Sequence, residues 1–167
     1  NLADGAVTVD GALAYAEGDM HRGEMPNIVA GAYTNSVAGT KETALYDLDA
    51  TIDALVKQAP PNDGVLNAIG KLGVAAEGAA FDIATDAEGR NWAWLVAGGV
   101  LHSLDLATGM ATAVGPVEGL PAISDMAGLP ERRERGGELN GRPGPPREPR
   151  GPTPTRRRAG LAAAGAA

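Results

Sequence analysis

The stretch Asn91-Trp92-Ala93-Trp94-Leu95-Val96-Ala97-Gly98-Gly99-Val100-Leu101-His102-Ser103-Leu104-Asp105-Leu106-Ala107-Thr108-Gly109-Met110-Ala111-Thr112-Ala113-Val114 decides the fold class. Trp and Val suit a pleated, half-buried surface, so residues 91–96 read as a strand. Ala97-Gly98-Gly99 reads as a turn. Residues 100–105 read as a second strand with Leu101 and Ser103 on one face. Ala107-Thr108-Gly109 suits a short hairpin, where glycine supplies the positive φ that closes the loop. Met110 to Val114 returns as the paired strand. Upstream, Phe81-Asp82-Ile83-Ala84 reads as the first strand of the same unit, followed by the turn Ala87-Glu88-Gly89. The unit is a four-stranded antiparallel sheet.

Outward from this unit the chain repeats itself. Leu2-Ala3-Asp4-Gly5-Ala6-Val7-Thr8-Val9-Asp10-Gly11 aligns with residues 106–115 at an offset of 104, through Leu, Ala, Gly, Thr and Gly. Leu45-Tyr46-Asp47-Leu48-Asp49 aligns with residues 101–105 at an offset of 56. Ile69-Gly70 aligns with Val114-Gly115 at 45, and Asp82-Ile83-Ala84 with Asp125-Met126-Ala127 at 43. The drop from 56 to 45 implies an insertion of 11 residues, placed at Gln58-Ala59-Pro60-Pro61-Asn62-Asp63-Gly64, where two prolines break any strand and Asp63-Gly64 turns the chain. Two periods in 104 residues average 52, near the roughly 40–50 residues of a four-stranded propeller blade. One segment resists. Leu45, Leu48, Ile52 and Leu55 fall at helical spacing and, taken alone, favour a helix. The repeat assigns residues 45–49 to a strand instead. The expected fold is all-β, a partial β-propeller-like array of about two four-stranded blades over residues 1–129.

Composition narrows the chemistry. The 167 residues carry 14 Lys+Arg against 21 Asp+Glu and no Cys. Disulfides, thiolate metal sites and thiol catalysis are therefore excluded. No apolar run approaches the roughly 18 residues of a spanning helix. With aromatics at 4%, the core must be built from Ala, Val, Leu and Ile. The charge divides near Pro130: nine Arg and four Glu follow it, a balance of +5, which leaves −12 for the body. Residues 130–167, rich in Pro, Gly, Arg and Ala, are expected to be a disordered tail, because they cannot bury enough surface to offset their ordering entropy. Clustered Arg is also what GC-rich coding yields, so nucleic acid is not an expected partner. The chain starts at Asn1 with no charged-then-apolar leader, as expected of an internal piece of a longer chain or a processed one.

Several words together resemble a known family. They are Asp10-Gly11-Ala12-Leu13-Ala14-Tyr15, Gly18-Asp19, Ala32-Tyr33-Thr34-Asn35-Ser36, Leu45-Tyr46-Asp47-Leu48-Asp49, Gln58-Ala59-Pro60-Pro61-Asn62-Asp63-Gly64-Val65-Leu66 and Phe81-Asp82-Ile83. Over about residues 1–129 the chain resembles the bacterial family catalogued as domain of unknown function 4394. The resemblance implies a propeller-type repeat protein, commonly exported, whose activity is not established, so it brings no catalytic residues. The family domain is longer on the N-terminal side, which implies that the first blades are missing, and the resemblance stops after Pro130.

Acidic residues are the abundant chemical group. Asp47 and Asp49 stand two apart on one strand face, with Asp53 close by in sequence. Paired carboxylates suit glycoside hydrolysis or Ca²⁺ binding. The plainer expectation is solvated strand edges and Asp-capped turns. Asp82, Asp86 and Glu88 offer alternating oxygens, which a hairpin turn explains equally well. His21 lies in a polar loop beside Arg22, and His102 is expected on the surface of a strand; neither has the partners of a zinc site. Gly11, Gly18 and Gly23 form no nucleotide fingerprint, and Ser36, Ser103 and Ser124 lack a nucleophile setting. Trp92 and Trp94 share a strand face. They suit packing between blades, with a sugar-stacking platform as the other reading. No catalytic, cofactor-binding or metal-ligating residue is assigned, and no cofactor is expected.

The leading expectation is a non-enzymatic, exported β-repeat module, extracellular or periplasmic, serving binding or surface architecture. Its partner is an unidentified ligand or protein, carbohydrate being one candidate, with no membrane-spanning segment. The alternative is a polysaccharide hydrolase or lyase using clustered Asp residues, which requires Asp47, Asp49 and Asp82 to converge in one pocket. A stack of about two blades exposes apolar faces at its ends, with the Leu2–Gly11 hairpin the least settled part. The chain made alone is therefore expected to be marginally stable or to associate. Size-exclusion chromatography with a thermal melt checks this, and a compact monomer with a sharp transition contradicts it.

Overall fold

The computed structural model describes residues 3–119 and 123–128. They form nine strands: β1 (Ala14–Tyr15), β2 (Ile28–Tyr33), β3 (Leu45–Asp49), β4 (Ala54–Gln58), β5 (Val65–Lys71), β6 (Ala80–Thr85), β7 (Asn91–Ala97), β8 (Val100–Leu104) and β9 (Ala111–Pro116), with a 3₁₀ turn at Pro61–Asp63. Among the described residues there is no α-helix. The first sheet has the order β1-β5-β4-β3-β2 and the second β6-β7-β8-β9. Both are antiparallel meanders, except that β1 adds to the outer edge of β5 in parallel. The protein is thus all-β, built from two open sheets of five and four strands.

The strand assignment at residues 45–49 holds. The helical spacing is produced by a chain reversal: Leu48 in β3 lies opposite Leu55 in β4, and both are fully buried in the core between the sheets. Ile52 belongs to a second cluster with Tyr15, Ala54, Val56 and Leu66 on the other face of the first sheet. Asp53 closes the reversal in left-handed backbone at φ 46, a conformation that a short polar side chain tolerates better than a branched one.

The repeat is real, but its register differs from the expectation. The starts of β3, β4 and β5 precede those of β7, β8 and β9 by 46 residues, and β2 precedes β6 by 52. The offset-45 match of Ile69-Gly70 with Val114-Gly115 joins β5 to β9, which hold the same place in their sheets. The offset-56 match joins β3 to β8, a second strand to a third, and is not structural. The added length lies in residues 34–44, between β2 and β3, and not in residues 58–64. Residues 3–13 carry no strand, so the expected Leu2–Gly11 hairpin is not formed among the described residues. Residues 125–127 are not a strand either; Gly128 N instead donates to Asp82 Oδ2 at 2.5 Å. The expected tail lies outside the described residues.

The sheets stack face to face. Leu48, Leu55 and Leu72 from the first meet Phe81, Ile83, Leu95 and Leu104 from the second, around Ala32, Ala76, Ala79, Ala93 and Ala97. Alanine lets the sheets approach while the leucines fill the layer. At one end, where β2 runs beside β6, polar groups close the gap. Asn35 N donates to Asn91 Oδ1 at 2.8 Å, Asn91 Nδ2 donates to Asn35 Oδ1 at 2.9 Å, and Ser36 N donates to Thr85 Oγ1 at 2.9 Å. Removing Leu55, a Leu55→Ala change, is expected to cost about 3 kcal/mol in urea denaturation, the usual scale for emptying a filled core site. Val114→Ala, at a side chain 59% exposed, is expected to stay within about 0.5 kcal/mol.

Candidate functional site

Two surfaces gather the chemistry-bearing side chains. The first is the face of the five-stranded sheet turned away from its neighbour. Asp47 and Asp49 both point to it, opposite Val56 and Ala54 of the second cluster. The expectation of solvated carboxylates fails here: Asp47 is 3% exposed and Asp49 fully buried. The N-terminal segment contributes to the cover: β1 adds beside β5 and lays Tyr15 on this face, where it meets Asp49.

Asp49 is saturated. Tyr15 Oη donates to its Oδ2, and its Oδ1 accepts from Asn27 N at 3.1 Å and Thr51 N at 2.7 Å. A carboxylate held by three donors has most of its accepting capacity in use and acts as a strut between segments. Burial, and then the bond to Asp49, hold the Tyr15 phenol well above its ordinary range. Asp47 is the opposite case. Its Oδ2 is buried without a hydrogen-bond partner, and burial pushes the carboxyl up to about 6. It leans over Gly31 of β2, where an added Cβ would overlap Asp47 Oδ1.

Beside this face, residues 16–24 form a loop tied to the sheet by Asp19, whose Oδ2 accepts from Ala68 N at 2.7 Å and Oδ1 from His21 N at 2.9 Å. His21 packs tilted against Tyr15 with ring centroids 5.5 Å apart, and its Nδ1 lies 3.2 Å from Glu24 Oε1. A cleft of about 460 Å³ opens between this loop and the sheet, lined by Asp19, Met20, His21, Ala54 and Lys71 among others. Lys71 Nζ donates to the Ile52 carbonyl. Asp53, grouped with Asp47 and Asp49 on sequence, instead accepts from Ala76 N at 2.8 Å and pins the link between the sheets.

The second surface is the outer face of the four-stranded sheet. Asp82 lies opposite Trp94 and Ala84 opposite Trp92, while Phe81 and Ile83 take the core side. Asp82 is therefore separated from Asp47 and Asp49 by both sheets, and the three carboxylates do not converge. Trp92 is 48% exposed. Its indole Nε1 donates to Asp86 Oδ2 at 2.9 Å, and the Arg90 guanidinium lies 5.5 Å from the ring centroid. The Trp92 bond, followed by those from Arg90, lowers the Asp86 carboxyl to about 2. Asp86 Oδ1 also accepts from Glu88 N and Arg90 N, so residues 86–90 are a capped hairpin turn. Asp105 repeats the device in the turn between β8 and β9, where Ala107 N and Thr108 Oγ1 hold it below the usual carboxylate range.

His102 corrects another expectation. It lies opposite Leu95 on the core side of β8, is 6% exposed, and its Nδ1 has no partner. Strand parity explains this: Leu101 and Ser103 take the outer face together, so His102 must take the inner one. Among the described residues no group of three or more His, Cys, Asp or Glu is placed to hold a metal ion, and no helix is long and apolar enough to cross a membrane. Sequence reasoning missed the Tyr15–Asp49 strut and the Asp19 tie. The paired words Ala14-Tyr15 and Gly18-Asp19 were visible, but their partners are 34 and 49 residues away.

Compared with known families, residues 1–127 match the family described as Domain of unknown function (DUF4394). No curated protein and no solved structure matches the chain.

The state of Asp47 makes stability depend on pH. Its folded pKa is raised above the ordinary 3.8 to about 6, so the fold favours the protonated carboxyl. Its stabilising share is complete below pH 3.8 and is lost as pH rises through about 6. Asp47→Asn, which cannot ionise, is expected to melt like the native chain at pH 3.5. At pH 7.5 it is expected to be the more stable of the two by about 2–3 kcal/mol, the scale of a shift of about two pKa units. Paired melts at the two pH values check this.

Proposed function

We infer, from the premise that the chain belongs to the DUF4394 family through residues 1–127, that it is a non-catalytic module of two consecutive β-propeller blades, serving binding or surface architecture outside the cytoplasm. The observation that carries this reading is the stacking of two four-stranded meanders, laid down in the same strand order, through one continuous core with β2 beside β6. Side-by-side first strands and repeated order are what a radial array of sheets requires. The carboxylates support the same reading. Asp19, Asp49, Asp53, Asp82, Asp86 and Asp105 each accept backbone N–H groups within the fold. They act as turn caps and struts, and the carboxyl beside Asp47 on its face, Asp49, is tied up by Tyr15, Asn27 and Thr51, whereas hydrolysis of a glycosidic bond uses a pair of working carboxyls. Export rests on the habit of the family. The ligand is taken to be a carbohydrate or a protein surface.

The test is a panel of soluble polysaccharides incubated with the purified chain, with binding read by affinity electrophoresis and turnover by reducing ends and unsaturated products. Retardation by one or more polymers without product is the expected result. Product release that disappears in Asp47→Asn or Asp82→Asn overturns the non-catalytic reading in favour of a hydrolase or lyase.

A further inference from the structure

Where the two sheets join, backbone lies directly on backbone. A Cβ added at Gly70 in β5 would overlap the Thr108 carbonyl, and one at Gly109, held left-handed at φ 77, would lie 2.5 Å from the Gly70 carbonyl. The same glycine pair recurs on the N-terminal side of the first sheet. A Cβ at Gly11 would overlap the Asp63 carbonyl, and one at Gly64, left-handed at φ 69, would lie 2.6 Å from the Gly11 carbonyl. In each pair the left-handed glycine ends the turn that leads into an outer strand, Gly64 into β5 and Gly109 into β9. Only glycine meets both demands, positive φ and contact closer than any Cβ allows.

The series has a third member. Gly70 and Gly115 are 45 residues apart, as are Gly64 and Gly109. The hydrogen bond from Leu72 N to the Asp53 carbonyl, at 2.9 Å, has its counterpart from Val117 N to the Gly99 carbonyl, at 2.8 Å. Gly115 therefore holds in the second sheet the place that Gly70 holds in the first. Among the described residues a Cβ there would meet nothing within 4 Å. Its neighbour Val114 is 59% exposed, whereas the counterpart Ile69 packs on the core between the sheets.

We propose that Gly115 is a docking point for the Asp63–Gly64 turn of a second copy of this chain, joined head to tail, a proposal that rests on the blade reading above. The site accepts a turn ending in a left-handed glycine ahead of an outer strand. The seams show two such turns. Thr108–Gly109 is sealed by Gly70 beneath the shared core. Among the described residues Asp63–Gly64 is covered by Gly11 and Ala12, on a segment that has no strand before Ala14–Tyr15 and leaves Val7 and Val9 about nine-tenths exposed, at 88% and 90%. That segment is held by Gly11 N to the Asn62 carbonyl at 2.8 Å and Ala14 N to the Gly64 carbonyl at 3.0 Å. The Gly115 strand of a neighbour takes the place of its Gly11 end, glycine for glycine. Donor and acceptor are different surfaces, so the contact is heterologous and propagates.

Sedimentation velocity on the full chain across a concentration series tests this. The native chain is expected to associate weakly. Gly11→Val, which unseats the covering segment, is expected to tighten association at least tenfold. Gly115→Val, at a position with open space, and the double variant are expected to be monomeric with unchanged circular dichroism. Association that survives Gly115→Val, or a folded Gly11→Val that stays monomeric, overturns the proposal. Because Gly11→Val risks the fold, a second readout uses the absence of Cys. Chains carrying Asp63→Cys are mixed with chains carrying Pro116→Cys under oxidation. Mixed dimers in excess of Asp63→Cys self-dimers are expected, and no excess overturns the proposal. The blade reading is separate from these outcomes, since it fails on polysaccharide turnover.

Discussion

Two β-sheets can share one core only if nothing on their facing surfaces holds them apart. Here that condition is met by alanine and glycine. Ala32, Ala76, Ala79, Ala93 and Ala97 thin the facing layers, and at Gly70 and Gly109 the two sheets touch backbone to backbone. Leu48, Leu55, Leu72, Leu95 and Leu104, with the single Phe of the chain at position 81, then supply the apolar area that makes the contact favourable. A larger side chain at the glycine positions would force the sheets apart and cost the dispersion contacts of the whole layer.

The words that carry the family resemblance are the words that make these junctions. Thr34-Asn35-Ser36 follows β2 and supplies the Asn35 and Ser36 groups that bond to Asn91 and Thr85 across the sheets. Asn62-Asp63-Gly64 supplies the carbonyls and the left-handed glycine on which Gly11 sits. The acidic residues follow the same logic. A body with a charge of −12 spends many of its carboxylates on turns and loop ties, where each replaces water as acceptor for N–H groups that a strand cannot satisfy.

Much of this was legible in advance. The alternation in residues 91–114 and the glycines between them specified four strands, because period 2 and left-handed turns are local properties of the chain. Repeat matching was legible only in part. The 45-residue match at Gly70 and Gly115 reflects equivalent seams. The match of Leu45–Asp49 to residues 101–105 rests on two Leu and one Asp, residue types common enough to coincide in strands that hold different places in their sheets.

What the sequence alone determined is the all-β class, the strand boundaries in the second sheet, the reversal at residues 58–64 and the absence of thiol chemistry, since each follows from residue types over a few neighbours. Only the tertiary structure decided which carboxylates are buried, that His102 turns inward, that Tyr15 and Asp49 meet, and that Asp47 and Asp82 lie on opposite sides of the stack. Those outcomes depend on which face of a sheet is covered and by what. That covering comes from segments tens of residues away, and no local pattern encodes it.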